Sequence, residues 1–268
     1  MDEQLYLLGM GIDYESKVKK AILTLQQYEF LALKHSPDGY YLCYSGGKDS
    51  DVILHLAKAA GVKFKAYYSQ TTIDPPEVVR HIRTHREVEW VKPDVNFFRS
   101  VESIGLPTRV RRWCCRKYKE DDGNNTVRII GVRAAESKRR AAMWNVISQR
   151  REKDGYYLCP ILLWSDQDVW KYLIENNVPY CSLYDEGWKR LGCIGCPMSD
   201  RKKQFEKWPR FERLWKRAAE RYFDANKGEI RRDGKTRLDG FETAEDFWNW
   251  WLSDKAMPKD DDCQMGLF

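Results

Sequence analysis

A short polar segment at residues 45–50, with the sequence SGGKDS, has residue types that suit phosphate chemistry. It follows an apolar run at residues 40–44 and precedes apolar residues at helical spacing, which predicts a strand, a turn and a helix. Glycines let the backbone approach an anion closely, and the free N–H groups at a helix start attract one. The segment therefore predicts a phosphate-binding loop, to which Lys48 adds a positive charge and the serines add hydrogen-bond donors.

Cysteines form a second group with chemical potential. Cys114 and Cys115 are adjacent, and Cys193 and Cys196 form a C-x-x-C. Eight cysteines in 268 residues are too few for a disulfide scaffold, and in a reducing compartment clustered cysteines more often bind metal. Four thiolates can hold one tetrahedral zinc ion or one iron–sulfur cluster. An adjacent pair suits a cluster better, because neighbouring side chains reach two corners of a cuboid more easily than one small ion.

A basic segment surrounds the adjacent cysteines. Its six cations are Arg109, Arg111, Arg112, Arg116, Lys117 and Lys119. A solvated charged face is the usual explanation for such a run. Beside a thiolate-bound cluster, however, the same cations would offset the negative charge of the thiolates, of nucleotide phosphates and of sulfate.

The loop spacing differs from G-x-x-x-x-G-K-[ST], so residues 45–50 do not form a Walker A loop. They resemble the pyrophosphate loop of the adenine nucleotide α-hydrolase superfamily. That resemblance implies nucleotide binding by the whole loop, namely Ser45, Gly46, Gly47, Lys48, Asp49 and Ser50. It makes Lys48 and Asp49 catalytic candidates, and Asp49 the candidate for a magnesium or helix-start role if Mg²⁺ accompanies ATP.

The CC pair and the later C-x-x-C resemble the [4Fe-4S] pattern of the assimilatory adenylyl-sulfate reductases. Residues 131–140, 160–170 and 179–187 resemble further motifs of that family, which includes phosphoadenylyl-sulfate reductase. The resemblance covers roughly residues 38–200 and implies a [4Fe-4S] cluster on Cys114, Cys115, Cys193 and Cys196.

The same resemblance implies further nucleotide-site residues. Gly131 and Arg133 would bind the nucleotide, with Arg133 and Arg140 as catalytic candidates that hold its anionic end. Tyr68, Ser69 or Thr71, at the end of the second predicted strand, would face the adenosine.

The C-terminus departs from the reductase pattern. Those enzymes carry a catalytic cysteine in an E-C-G-[IL]-H type motif, whereas Cys263 follows three aspartates and no histidine follows it. Neighbouring carboxylates disfavour a thiolate nucleophile. Relatives without that motif include the ATP pyrophosphatases of DNA phosphorothioation, which this chain also resembles.

Three functions follow from these resemblances. The first is an ATP pyrophosphatase-type enzyme that transfers sulfur. Its partners would be a sulfur donor and, as candidates, DNA or a nucleic-acid-modifying complex. The second is a reductase of adenylyl sulfate or its 3′-phosphate that uses a thioredoxin-like protein. The third is a non-catalytic nucleotide-binding subunit of a modification complex.

The elements that must position these residues alternate between strand and helix. Strands are predicted at residues 40–44, 64–68, 127–130 and 156–158, and a helix is predicted at 15–35. Another helix is predicted after the capping-box pair Ser165 and Asp168, and a last one after the pair Thr243 and Asp246. The pattern predicts a doubly wound α/β fold with a mostly parallel sheet, of the adenine nucleotide α-hydrolase type.

Residues 1–198 are predicted to form the nucleotide-binding domain with the cluster site. Residues 199–268 are predicted to be a helical C-terminal extension with an apolar stripe on residues 211–222 and a loose tail. The net charge of +6 permits a phosphate-bearing partner without requiring one. Because there is no long apolar run and the N-terminus is acidic, we expect a cytoplasmic protein without a membrane partner.

Overall fold

The computed structural model describes residues 12–120, 125–150, 155–230 and 236–253. The chain forms two compact units, and each is built from separate stretches of sequence. The first comprises Met1–Gln70, Pro76–Lys92 and Asp121–Leu191, and the second comprises Thr71–Pro75, Pro93–Glu120 and Gly192–Phe268. Both cysteine pairs belong to the second unit. A boundary after residue 198 stays a prediction.

The first unit contains one six-stranded sheet. Its strands are β1 (Tyr40–Cys43), β2 (Phe64–Ser69), β3 (Val88–Val91), β4 (Thr126–Ile129), β5 (Ile147–Gln149) and β6 (Gly155–Leu158). Their order is β3-β2-β1-β4-β6-β5, and all pairs are parallel except β5 with β6. The predicted doubly wound, mostly parallel sheet is confirmed. The short strands β3 and β5 were not predicted.

Helices connect the strands and build most of the second unit. In chain order they are α1 (Tyr14–His35), α2 (Lys48–Ala60), α3 (Pro76–Thr84), α4 (Phe97–Ile104), α5 (Trp113–Cys115), α6 (Lys138–Met143), α7 (Asp166–Glu175), α8 (Arg201–Lys207), α9 (Pro209–Asn226) and α10 (Ala244–Ser253). None of these helices in the described part of the chain is both long and apolar enough to cross a membrane.

The position of β1 explains where a ligand can bind to the first unit. β1 pairs with β2 on one side and with β4 on the other, so the chain winds outward in both directions from this strand. Open α/β sheets bind ligands at the carboxyl ends of strands at such a switch point. The SGGKDS segment starts two residues after β1 ends. Leu42, Ile53 and Ile129, all fully buried, anchor β1, α2 and β4 in the core beneath it.

The second unit has an aromatic core. Trp215 in α9 is fully buried, stacks on Trp251 at 4.8 Å between ring centroids, and meets Phe97 of α4 edge-on at 5.1 Å. The predicted apolar stripe on this helix is confirmed for Trp215 and Ala218, whereas Leu214 is 38% exposed. Thr243 and Asp246 cap α10 as predicted, since each accepts a backbone N–H from the other.

Candidate functional site

The SGGKDS loop is closed by its own last residue. Ser50 Oγ accepts a hydrogen bond from Gly47 N at 3.0 Å and donates one to the Gly47 carbonyl at 2.7 Å. Ser45 Oγ donates to Ser50 Oγ at 3.2 Å. α2 begins at Lys48 with Gly47 as its N-cap, so the positive end of the helix dipole lies in the loop. The predicted strand–turn–helix order is confirmed.

Gly46 is the position where the loop requires glycine. Its φ is +71°, a region that other residues rarely adopt, and a Cβ there would lie 2.7 Å from Ile82 Cγ1. Ile82 belongs to α3, so this helix packs directly against the loop. The sequence predicted a glycine turn here, and the structure shows that one reason for it is close packing under the loop.

Two cations and two carboxylates alternate around the start of α2. Arg133 Nε donates to Asp49 Oδ1 at 2.6 Å, and Lys48 Nζ lies 3.2 Å from Asp49 Oδ2. Asp166 Oδ1 lies 3.0 Å from both Lys48 Nζ and a terminal nitrogen of Arg133. Lys48 and Arg133 are buried, at 5% and 4% exposure. The cluster therefore fixes two buried positive charges at the loop.

Asp166 and Tyr184 belong to this site, although sequence reasoning did not select them. Burial raises the pKa of Asp166, but the hydrogen bond from Lys48 and the charges of Lys48 and Arg133 outweigh it, so the pKa lies below its usual value. Tyr184 OH accepts a hydrogen bond from Lys48 N at 2.9 Å. Both residues lie inside stretches that carry the family resemblance, which is the signal that pointed to them.

The segment from Gly131 to Arg140 brings Arg133 and Arg140 to different partners. A Cβ at Gly131 would lie 3.1 Å from the Asp49 backbone, so the segment passes close to the loop. Glu136 accepts a hydrogen bond from Arg133 N at 3.1 Å and forms an ion pair with the Arg140 guanidinium. Arg133 thus faces the ion cluster, whereas Arg140 is paired with Glu136.

The three residues expected to face an adenosine lie in different surroundings. Tyr68 is 3% exposed, and its ring meets Trp90 edge-on at 4.9 Å. Ser69 is the partly buried last residue of β2. Thr71 belongs to the second unit, where its hydroxyl donates to Asp74 at 2.7 Å and lies 3.6 Å from Cys193 Sγ. Thr71 therefore lies beside the C-x-x-C.

The C-x-x-C forms a tight turn that the second unit holds from several sides. Trp215 Nε1 donates to the Ile194 carbonyl at 3.1 Å, and Ile194 N donates to the Ile73 carbonyl at 2.8 Å. Gly195 has a φ of +79°, and a Cβ there would lie 2.4 Å from Trp215 Nε1. Gln204 accepts from Gly195 N at 2.9 Å. These contacts fix where Cys193 and Cys196 point.

The adjacent cysteines belong to the short helix α5. Its first residue, Trp113, stacks on Phe97 at 5.6 Å and donates to the Gly105 carbonyl at 3.2 Å. The pKa of Cys114 is raised, first by a hydrogen bond with Cys115, then by burial and by the charges of Cys115, Cys193 and Cys196. Mutual electrostatic influence of this kind requires that the four sulfurs lie near one another.

Among the six cations near the adjacent cysteines, Lys119 has a specific role. Its pKa is raised, first by its electrostatic interaction with Cys193 and further by Asp74 and Cys115. Burial raises the pKa of Cys193 to about 11, although Lys119 opposes that shift. Lys119 is exposed, and so are the other five cations, Arg109, Arg111, Arg112, Arg116 and Lys117.

The remaining cysteines have simpler surroundings. Cys159 and Cys181 are fully buried, and Cys43 is partly buried in β1. For Cys159 this agrees with the prediction of a small core residue. Cys263 lies outside the described residues.

Known proteins similar to this chain agree with its sequence motifs. Residues 39–199 match the phosphoadenosine phosphosulfate reductase domain family. An adenosine 5′-phosphosulfate reductase of Salinibacter ruber is 37% identical over 204 residues, which cover 71% of this chain and 77% of that protein. Two uncharacterized proteins of Methanocaldococcus jannaschii are 30% and 26% identical, and the match spans 42% and 48% of their lengths.

A solved structure with the same fold carries a bound nucleotide. The FMN adenylyltransferase of Candida glabrata in complex with ATP superposes with a TM-score of 0.50 at 17% identity, over 71% of this chain and 67% of that one. At this identity the likeness concerns the fold alone, which is of the adenine nucleotide α-hydrolase type. The family match over residues 39–199, together with the 37% identity to the Salinibacter ruber protein, establishes that the chain belongs to the phosphoadenosine phosphosulfate reductase domain family.

Proposed function

We propose that this chain binds ATP with Mg²⁺ at the SGGKDS loop and acts as an ATP pyrophosphatase-type enzyme in sulfur transfer. The observation that carries the proposal is the alternating ion cluster at the start of α2. Lys48 and Arg133 supply two buried positive charges, and Asp49 and Asp166 supply two carboxylates next to them. Cations alone would suit any phosphate or phosphosulfate.

The two carboxylates favour ATP over a bare phosphosulfate. Asp49 and Asp166 would repel a free anion, but oxygen ligands of this kind bind Mg²⁺ that accompanies nucleotide phosphates. Lys48 and Arg133 would then neutralise the phosphate oxygens, and the N–H groups at the start of α2 would donate to them. Arg133 can do this bidentately, because its guanidinium presents parallel donors.

The proposed reaction balances without a redox step. An oxygen of the acceptor attacks the α-phosphorus of ATP, and the bond from that phosphorus to the bridging oxygen of pyrophosphate breaks. Lys48 and Arg133 stabilise the charge that develops on the phosphate oxygens. Hydrosulfide supplied by the sulfur donor then attacks the activated acceptor, so that a bond to sulfur forms and AMP leaves with the electron pair of the broken bond. The products are AMP, pyrophosphate and the sulfur-bearing acceptor, with DNA as one candidate acceptor.

Four cysteines support a [4Fe-4S] cluster in the second unit. The hydrogen bond with Cys115 and the charges of Cys193 and Cys196 raise the pKa of Cys114, which supports one shared site for the four thiols. Lys119 would offset part of the negative charge of four thiolates. A bound cluster would supply an anionic, redox-capable centre and would tie α5 to the C-x-x-C turn.

A second candidate, reduction of adenylyl sulfate or its 3′-phosphate, is favoured by the similarity to the Salinibacter ruber reductase. In that reaction a cysteine thiolate attacks the sulfur of the phosphosulfate, AMP or its 3′-phosphate leaves, and a thioredoxin-like dithiol releases sulfite from the enzyme. Cys263 is the cysteine of this chain nearest its C-terminus, so this candidate depends on it.

A parallel product assay separates the two candidates. Anaerobically purified full-length chain is incubated with ATP and Mg²⁺, with adenylyl sulfate and with its 3′-phosphate, each with and without a dithiol donor or DNA. Formation of AMP and pyrophosphate from ATP supports our proposal, whereas sulfite release that Cys263→Ser abolishes supports the reductase. Nucleotide binding without turnover in any mixture indicates a non-catalytic subunit and contradicts both.

Lys48→Ala tests whether the activity uses the loop. It should raise the Kd for ATP about ten- to hundred-fold, because a charge-assisted contact is lost. Lys58→Ala, which removes an exposed cation of the same helix that pairs with Glu87, is the matched control and should leave the Kd unchanged. Equal Kd values for Lys48→Ala and the parent chain would contradict phosphate binding at this loop.

A further inference from the structure

A buried cluster of one carboxylate and two histidines lies in the first unit, under the phosphate loop. Asp51, His81 and His85 each offer one ligand atom, and these atoms all lie within 4.8 Å of one another. Asp51 is 1% exposed, His81 is 9% exposed, and His85 is half-buried. The three residues come from the first turn of α2, from α3 and from the turn that follows α3.

Two polar atoms of this cluster are buried without a hydrogen-bond partner, namely Asp51 Oδ2 and His85 Nε2. Burial of an unsatisfied carboxylate oxygen and ring nitrogen costs free energy, and most such atoms in folded proteins have a partner. Here the two atoms belong to residues with good metal-ligand chemistry. A cation between them would satisfy both at once.

The other carboxylate oxygen of Asp51 has partners that orient it. Tyr44 OH donates to Asp51 Oδ1 at 2.6 Å, and His81 Nε2 lies 3.0 Å from that oxygen. His85 Nδ1 lies 3.8 Å from the Glu87 carboxylate. That distance exceeds a hydrogen bond, so Glu87 lies near the His85 ring without fixing its orientation.

The geometry points to a divalent transition-metal site formed by Asp51, His81 and His85, with zinc as the ion that this ligand set suits best. Two imidazoles and one carboxylate are a known three-residue donor set for zinc, and they leave a fourth position open. The partly exposed ring of His85 gives the ion a way in from solvent. The site shares no ligand with the four cysteines or with the ion cluster at Lys48.

A metal here would connect the phosphate loop to its support. Asp51 N donates to the Gly47 carbonyl at 3.0 Å, so this ligand belongs to the same turn as the loop. α3 packs against Gly46 through Val78 and Ile82 and also supplies His81. The ion would join the loop and α3 at a second point, beneath the place where the nucleotide is proposed to bind.

Cobalt(II) titration of the chelator-treated full-length chain tests this site apart from the cysteines. Cobalt on thiolates gives an intense near-ultraviolet charge-transfer band, whereas cobalt on imidazole and carboxylate gives only weaker visible bands. We expect a species of the second kind at one ion per chain, displaced by Zn²⁺. His85→Ala and Asp51→Asn should each weaken it about a hundred-fold or more.

His55→Ala is the matched control, because His55 is a partly buried histidine of α2 whose ring bonds Tyr172 instead. It should bind cobalt like the parent chain. Because His85 is half-buried, its replacement by alanine should keep the fold, which circular dichroism checks independently of Asp51→Asn. Absence of the thiolate-free species from the parent chain, or its persistence in both His85→Ala and Asp51→Asn, would overturn the proposal.

Discussion

The phosphate loop and the cysteine site differ in how completely the chain satisfies their charges. At the loop, Lys48 and Arg133 are each paired with Asp49 and Asp166, so both signs of charge are present and matched. At the cysteine site, the hydrogen bond with Cys115, burial and the neighbouring cysteines raise the pKa of Cys114, and burial raises the pKa of Cys193. A charged ligand at the phosphate loop would therefore replace one ionic partner of these side chains with another.

In our proposal, the second region becomes charged when it binds a metal centre. Four adjacent thiolates would repel one another, and Lys119 provides only one compensating charge in the contacts that shape these pKa values. A metal centre removes the protons and supplies the missing positive charge. The comparison indicates that the loop is preformed by the chain, whereas the cysteine site depends on what it binds.

The largest expected effect is the loss of the metal centre in Cys196→Ser. After anaerobic reconstitution, this variant should lack the iron, the acid-labile sulfide and the visible absorbance of the parent chain. ATP binding should persist, because the loop contacts lie within the first unit. Cys43→Ser, a change in β1, is the control and should retain iron. A Cys196→Ser protein with full iron content would remove Cys196 from the ligands and break the comparison.

The second-largest expected effect is a loss of stability in Gly46→Ala, which tests whether packing against α3 holds the phosphate loop in its conformation. Gly46→Ala should destabilise the chain by about 2–4 kcal/mol, because it combines an unfavourable φ with overpacking against Ile82. Gly61 has a similar φ of +68° but no atom within 4 Å of a Cβ, so Gly61→Ala should cost only about 1–2 kcal/mol. Urea unfolding measures both. Equal losses would show that α3 does not support the loop.

The smallest effect concerns the pH dependence of the metal-free cysteine site. The pKa of Cys193 is about 11 in the folded chain, against an ordinary value of 9.0. Below the ordinary value the thiol is protonated in both states, and its contribution to stability is fully present. As the pH rises from the ordinary value through the folded one, the unfolded chain loses its proton first, so this contribution is lost.

Urea midpoints of the metal-free parent chain and of Cys193→Ser, compared across that interval, isolate this contribution. The parent chain should lose more stability than the variant as the pH rises. If the difference in urea midpoint between the two proteins stayed constant with pH, the pKa of Cys193 would have its ordinary value. The charges of the cysteine site would then be as well satisfied as those of the loop.

Local signals made the loop and its strand–turn–helix setting predictable. The sequence of residues 45–50 and the capping pair of Ser165 and Asp168 act over a few residues, and the structure confirms both. Strands β3 and β5 were not predicted. Their strand character comes from pairing with β2 and β6.

Contacts between distant segments made the rest of the site unpredictable. Asp166 directly follows a capping serine and looks like an ordinary helix-start acid, but the fold places it against Lys48 and Arg133. Lys119 is one of six similar cations in the sequence, and only the position of the C-x-x-C distinguishes it. His81 and His85 lie four residues apart in the sequence, but only the fold brings them next to Asp51.

The second unit is assembled from three stretches of chain, and this has a consequence for biosynthesis. Cys193 leaves the ribosome about 80 residues after Cys114, a delay of about 4–16 s at roughly 5–20 residues per second. Trp215, which holds the C-x-x-C turn in place, emerges later still. During this interval the nascent chain holds only half of the proposed cluster ligands. If the proposed [4Fe-4S] cluster binds here, its insertion would follow the translation of α9.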